Sequence, residues 1–254
     1  MIRTPTAAPM AATWTHILLV ARTRARYLLR SRVILLALAL TVLPWFAADG
    51  HDAQTELALL TASALTALLA SASGVVSESL DDGSYGIAVL HGLTPLEMVL
   101  GEALGALSGM LPALIAFAVL SAPALGALPL GALALCLAWL GVLLLGWLAI
   151  MLLLGTVLPG KGNAIAMIPL LLAFAFPSDA IPVDHWPPAI ARAARAAWSA
   201  MPLEAHAMSM YGAILRHSPP PPAAPVALLL APPVFLAVAA LRLSRLDAAR
   251  RFTG

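Results

Sequence analysis

Charge is what this sequence has least of. Asp, Glu, Lys and Arg together make up 10% of its 254 residues, against roughly 25% in an ordinary soluble domain. A solvated globular surface is therefore excluded. Lysine occurs once, at Lys161, so the basic side chains are almost all arginine. With the richness in Ala and Pro, that bias points to a GC-rich bacterial source. Cysteine also occurs once, at Cys136, inside an apolar run. An intrachain disulfide is excluded, no Cys/His cluster has zinc-site spacing, and Cys136 reads as a small buried or lipid-facing residue.

Apolar runs fill the rest. The chain is 61% hydrophobic, with a mean hydropathy of +0.94, and a crossing helix needs about 20 such residues for a hydrocarbon core of about 30 Å. Six segments qualify or nearly do: Ser31 to Ala48, Leu57 to Val76, Met98 to Leu120, Leu130 to Gly155, Ala164 to Pro177 and Val226 to Leu243. The fifth is short for a full crossing. The expected fold is all-α, a single polytopic membrane domain spanning residues 1–254.

Basic residues near helix ends are retained on the cytoplasmic side. With the N-terminus inside, eleven of them fall inside, and only Arg192, Arg195 and Arg216 fall outside. Six crossings with both termini cytoplasmic follow, in a bacterial inner membrane. Before the first run, residues 12–30 form a helical wheel with Trp14, Ile17, Leu18, Ala21, Ala25, Leu28 and Leu29 in one arc of about 120°, and Arg22, Arg26 and Arg30 beside it. That pattern predicts an interfacial helix, with arginines at the phosphates. Between the fifth and sixth spans, helices Pro188 to Ser199 and Pro202 to Leu215 are each opened by a proline. Arg192 and Arg195 are costly at bilayer depth and the second helix is short, so an interfacial or re-entrant pair on the outer face is expected.

Several motifs bear on chemistry. Gly101, Gly105 and Gly109 form a GxxxGxxxG ladder, which lets another helix approach closely. Packing within the subunit and packing against a second subunit both fit it. "GTVLPGKGN", Gly155 to Asn163, nearly spells a nucleotide-binding P-loop, but Gly162 replaces the magnesium-binding hydroxyl and no strand precedes it. A tight turn explains it, so no ATPase of the chain's own is expected. Facing titratable groups are scarce in the apolar runs, which disfavours an intramembrane enzyme. Glu97 and Glu102, five residues apart at the start of the third span, read as solvated or interfacial groups, with His91 in the loop before them.

One polar insert interrupts the apolar runs, "SESLDDGSYGIAVLHGLTPLEMVLGE", residues 77 to 102. It carries Glu78, Asp81 and Asp82, a turn at Gly83 and Ser84, an amphipathic stretch from Tyr85 to Leu90 that includes Gly86 and Ile87, then His91 and a turn at Pro95 and Glu97 leading to Gly101. This arrangement resembles the loop of ABC-2 type permeases, the membrane subunits of a large group of ABC exporters. The N-terminal amphipathic helix and "SAMPLEAHAMSMYGAIL" are similar to that family's elbow helix and outer re-entrant segment. Glu102 departs from it, standing where a basic residue is usual.

The resemblance implies a permease subunit that pairs with a second permease subunit, as homo- or heterodimer, and works with a cytoplasmic ABC ATPase. It implies that residues Tyr85 to Leu90 contact that ATPase, with Glu78, Asp81 and Asp82 positioning the contact. ATP and magnesium would be bound by the partner ATPase, with no cofactor or metal on this chain and no nucleic-acid partner. The haem-exporter membrane proteins of cytochrome c maturation share six spans and a similar first loop, and the basic tail "RLSRLDAARRFTG" argues against them. A membrane assembly factor with no transport cycle is the remaining alternative. Spans nearly free of charge suit an amphipathic or lipid-like cargo.

Overall fold

A computed structural model of the chain describes residues 10–30, 52–90, 92–174, 187–192, 195 and 202–253. Every regular element among these residues is a helix. In chain order they are α1 (Met10–Arg30), α2 (Ala53–Ala72), α3 (Ser77–Asp81), α4 (Ser84–Leu90), α5 (Pro95–Leu125), α6 (Leu130–Gly155), α7 (Gly162–Phe174), α8 (Leu203–Leu215) and α9 (Ala223–Thr253). Among the described residues four stretches are long and apolar enough to cross a membrane: Ala53–Asp81, Pro95–Leu125, Leu130–Gly155 and Ala223–Leu246. The chain thus has the helical character of a membrane protein. The expected first span, Ser31 to Ala48, lies outside the described residues. The expected fifth corresponds to α7, of which 13 residues, Gly162–Phe174, are among those described. Of the expected helix Pro188 to Ser199, residues 188–192 and 195 are described and helical.

Polar residues set where the helices begin. The Asp52 carboxylate accepts the Thr55 N–H at 2.7 Å, capping α2. Hydrogen bonds from the Thr55 side chain and backbone hold its carboxyl below the usual carboxylate range. At α5, Thr94 Oγ1 accepts the Glu97 N–H at 3.2 Å and Glu97 accepts the Thr94 N–H at 2.7 Å. This reciprocal capping box, with Pro95 in the first turn where its missing N–H costs nothing, starts the helix three residues before the apolar run does.

α6 lies at the centre of the bundle. Cys136, Leu143, Trp147, Leu148, Met151 and Leu152 along it are all buried, and it packs against α9, α8, α2 and α7. Full burial of such side chains is worth about 1.5–3 kcal/mol each relative to water. Gly146, past the midpoint of α6, is covered by Leu203 at the start of α8, while Met210, Ala213 and His217 near the other end of α8 adjoin Leu135 and Trp139 near the start of α6. α8 therefore runs antiparallel to α6 from its middle towards its N-terminal end. The Thr61 hydroxyl, 3.4 Å from the Tyr211 hydroxyl, ties α2 to α8.

The glycine ladder is filled from within the chain. α1 lies along α5, and a Cβ on Gly101 would come 2.5 Å from Val20 Cβ, one on Gly105 2.6 Å from Arg24 Cβ, and one on Gly109 2.6 Å from a Leu28 methyl. The two backbones approach closely because no side chain stands between them. Ile17, Ala21 and Leu28, expected to face acyl chains, are instead buried on α5, while Trp14, Leu18 and Leu29 stay exposed. The apolar arc of the wheel is divided between a helix neighbour and the outside, and Arg22, Arg26 and Arg30 are exposed.

Candidate functional site: a clasped polar loop

The polar insert folds into two short helices on a tight break at the end of α2. Gly74 has φ +73°, and Val76 follows at φ +67°, ψ −49°, with the Ser77 N–H donating to the Val75 carbonyl at 2.8 Å. This is a γ-turn of the positive-φ kind, strained for a β-branched residue at a cost of order 1–3 kcal/mol. The surroundings hold it there. Val75 and Val76 are fully buried, and Gly155 of α6 lies directly against the Val75 carbonyl.

A single side chain satisfies much of the broken backbone. Asn163, itself fully buried, accepts the Gly74 N–H at 2.9 Å and the Ala164 N–H at 2.8 Å through Oδ1, and donates to the Ala72 carbonyl at 2.8 Å through Nδ2. Beside it, the Ser77 hydroxyl bonds the Gly160 carbonyl, and the Gly160 N–H donates to Asp81 at 2.7 Å. The turn that nearly spelled a P-loop is thus a strut for the polar insert, and it puts Lys161 at the same end of the bundle. Asn163→Leu should leave these groups unpaired, at about 1–3 kcal/mol for each that water cannot reach. The expected result is a Tm several degrees below wild type in detergent, and an unchanged Tm would refute the strut.

Arg24 of α1 clasps the insert from the other side. Its Nη1 donates to Glu78 at 2.9 Å and its Nη2 to the Ser73 carbonyl at 2.7 Å, while Nε lies 3.7 Å from a Glu102 carboxylate oxygen. Tyr27 supplies an aromatic face 5.3 Å from the guanidinium. A cation at the last carbonyls of α2 is favoured by the helix dipole, and the planar fork serves several acceptors at once. Arg24 and Glu102 are 8% and 5% exposed. Glu97 is 6% exposed and lies 3.5 Å from His16. Glu97 and Glu102, expected as solvated or interfacial groups, are buried and so not solvated, because α1 covers the start of α5.

The insert's other residues divide by environment. Tyr85 points inward at 2% exposure, whereas Ile87 and Leu90 stand out at 59% and 87%. The exposed apolar side of α4 thus consists of Ile87 and Leu90, with Tyr85 anchoring the helix to the fold. Gly83 has φ +79°, a left-handed value that favours glycine, and Asp82 accepts the Ser84 N–H at 2.8 Å at the start of α4. Gly86 lies between anchor and outer face. Glu78, Asp81 and Asp82 each have a partner inside the fold. Pro95 and Glu97 start α5, and His91 lies outside the described residues.

Sequence reasoning missed Arg24. The signal was present, since at about 100° per residue Arg24 falls on the opposite side of the wheel from Arg22 and Arg26, beside Ile17 and Leu28. It also missed that Glu102, standing where the resembled family has a basic residue, meets an arginine supplied by α1. Comparison with protein-family models, curated proteins and solved structures finds no match to the chain.

Proposed function

We propose that this chain is the membrane subunit of an ATP-driven exporter, built in the manner of ABC-2 type permeases and worked by a separate cytoplasmic ATPase. The observation that carries the reading is α4: a short amphipathic helix anchored by Tyr85, with Ile87 and Leu90 turned outward, on a loop clasped by Arg24 and propped by the turn of Asn163. A helix held so firmly cannot yield locally. A push on it is passed to α2 and α5, the two apolar helices that flank it, and rigid displacement of packed helices is how such folds switch between states.

In this reading the loop is cytoplasmic, both termini are cytoplasmic, and the chain crosses a bacterial inner membrane six times as part of a permease dimer. The exposed apolar edge and arginines of α1 belong at the membrane interface. α8, which begins against the middle of α6, is the re-entrant element of the outer half. The cargo is amphipathic or lipid-like.

The test is co-purification from the native host. The chain should bring down a cytoplasmic ATPase, and the double variant Ile87→Asp, Leu90→Asp should cut the recovered ATPase to below about one tenth, a loss of at least ~1.4 kcal/mol. Both side chains are exposed, so the Tm of the permease should not move. If no ATPase accompanies the chain, or one stays bound to the double variant at wild-type stoichiometry, the assignment falls.

A further inference from the structure

A groove of about 720 Å³ opens between α1, the polar insert and the start of α5. Its size lies within the roughly 300–1,000 Å³ of small-molecule sites, and like them it joins apolar walls to a few placed polar groups. Leu19, Val20, Ile87, Leu93 and Met98 form the apolar part. Charge at the groove is one-sided, with Glu78, Asp81, Asp82 and Glu102 set against Arg24 alone. Arg22, Arg26 and Arg30 are not among its walls.

Two atoms of this lining, an ion pair 3.7 Å apart, make no hydrogen bond. Glu102 Oε2 is buried and accepts no hydrogen bond, and Arg24 Nε, 3.7 Å away, donates none. A buried carboxylate oxygen without a hydrogen bond is costly, and a donor brought by a ligand removes that cost. Tyr27, also in the wall and half exposed, adds an aromatic surface of the kind that favours organic cations.

We infer that this groove is a binding site for an amphipathic cation, its apolar body along α1 and α4 and its positive head among the carboxylates. An anion of the same shape is rejected, because four carboxylates face it. The site does not rest on the transporter reading, since binding is measured on the full chain alone and ATPase recovery is measured separately.

The probe is radiolabelled decylammonium, with the chain in phosphatidylcholine nanodiscs, and radiolabelled decanesulfonate, the same chain with opposite charge, is run in parallel as a second probe. Saturable binding near one per chain is expected for the ammonium and none for the sulfonate. Two variants test the location without touching the clasp. Thr23→Arg adds a positive charge to the wall and Ala88→Trp fills it, and each should weaken binding about tenfold or more, equivalent to ~1.4 kcal/mol, at unchanged Tm. Two further arms identify the source of the head group. Displacement by phosphatidylethanolamine in the disc assigns a lipid amine, and displacement by octylammonium alone assigns a soluble one. The inference is overturned by non-saturable partition, by equal binding of the sulfonate, by full affinity in both variants, or by displacement with neither amine.

Discussion

Arg24→Met should destabilise the chain by about 3–5 kcal/mol, the cost of leaving buried charges without their partner. For a chain of this size that is a fall in Tm on the order of 10 °C. The arginine serves Glu78, the Ser73 carbonyl and Glu102 at once, so its loss strands acceptors on three elements. Arg24→Lys should recover part of the loss and no more, because one ammonium cannot span the positions a fork reaches. Adding Glu78→Gln and Glu102→Gln to Arg24→Met should restore much of the stability, since a neutral site no longer buries unpaired charge. Thermal unfolding in one detergent reads all of these. A wild-type Tm for Arg24→Met would show that the clasp contributes nothing.

Gly105→Leu is expected to do comparable damage by a different route. Even a Cβ there meets Arg24 Cβ at 2.6 Å and the Ala21 carbonyl at 2.9 Å, and the second of these is backbone, which no rotamer change can move. Overpacking costs typically 1–3 kcal/mol, and a leucine pushes α1 off α5 altogether, taking Arg24 with it. Gly105→Ala should therefore be intermediate. Gly141→Ala is the control, because nothing lies within 4 Å of its Cβ position, and it should be neutral or slightly stabilising. A cysteine pair on the same seam outside the ladder, His16→Cys with Glu97→Cys, whose present side chains approach to 3.5 Å, should be bridged by a short bis-thiol reagent in the wild-type background and fail to be bridged with Gly105→Leu. Cross-linking that survives the leucine would show that the ladder does not seat α1.

The outline of the long helices was legible in the residues. Leu130 to Gly155, an unbroken apolar run, is α6 to the residue. The starts of α2 and α5 differ from the apolar runs for one reason: hydropathy marks the apolar stretch, while caps mark where the helix starts. α2 reaches back to Asp52 and α5 to Thr94 through polar first turns that an apolar run excludes. The amphipathic stretch Tyr85 to Leu90 is helical, within α4. The amphipathic wheel of α1 was visible as well, but a wheel shows that a face is apolar and not what covers it. The site was less legible. Arg24 looked like one more flanking arginine and Asn163 like a turn residue, because their meaning lies in partners some 50 to 90 residues away in the chain.

Those separations also order events in time. The polar loop is made early, but its strut arrives much later: Gly74 bonds a residue 89 positions on, and Ser77 bonds one 83 positions on. At roughly 5–20 residues per second of synthesis, the loop waits several seconds or more, without that strut, until α6 and the turn after it have emerged. During that interval the strained Val76 turn has the Arg24 clasp on one side and no strut on the other. The finished joint can therefore form only after the Leu130–Gly155 stretch is in place, so a nascent chain stalled before Gly160 should leave the peptide at Val75 and Val76 open to a protease that the completed protein, in which both are fully buried, resists.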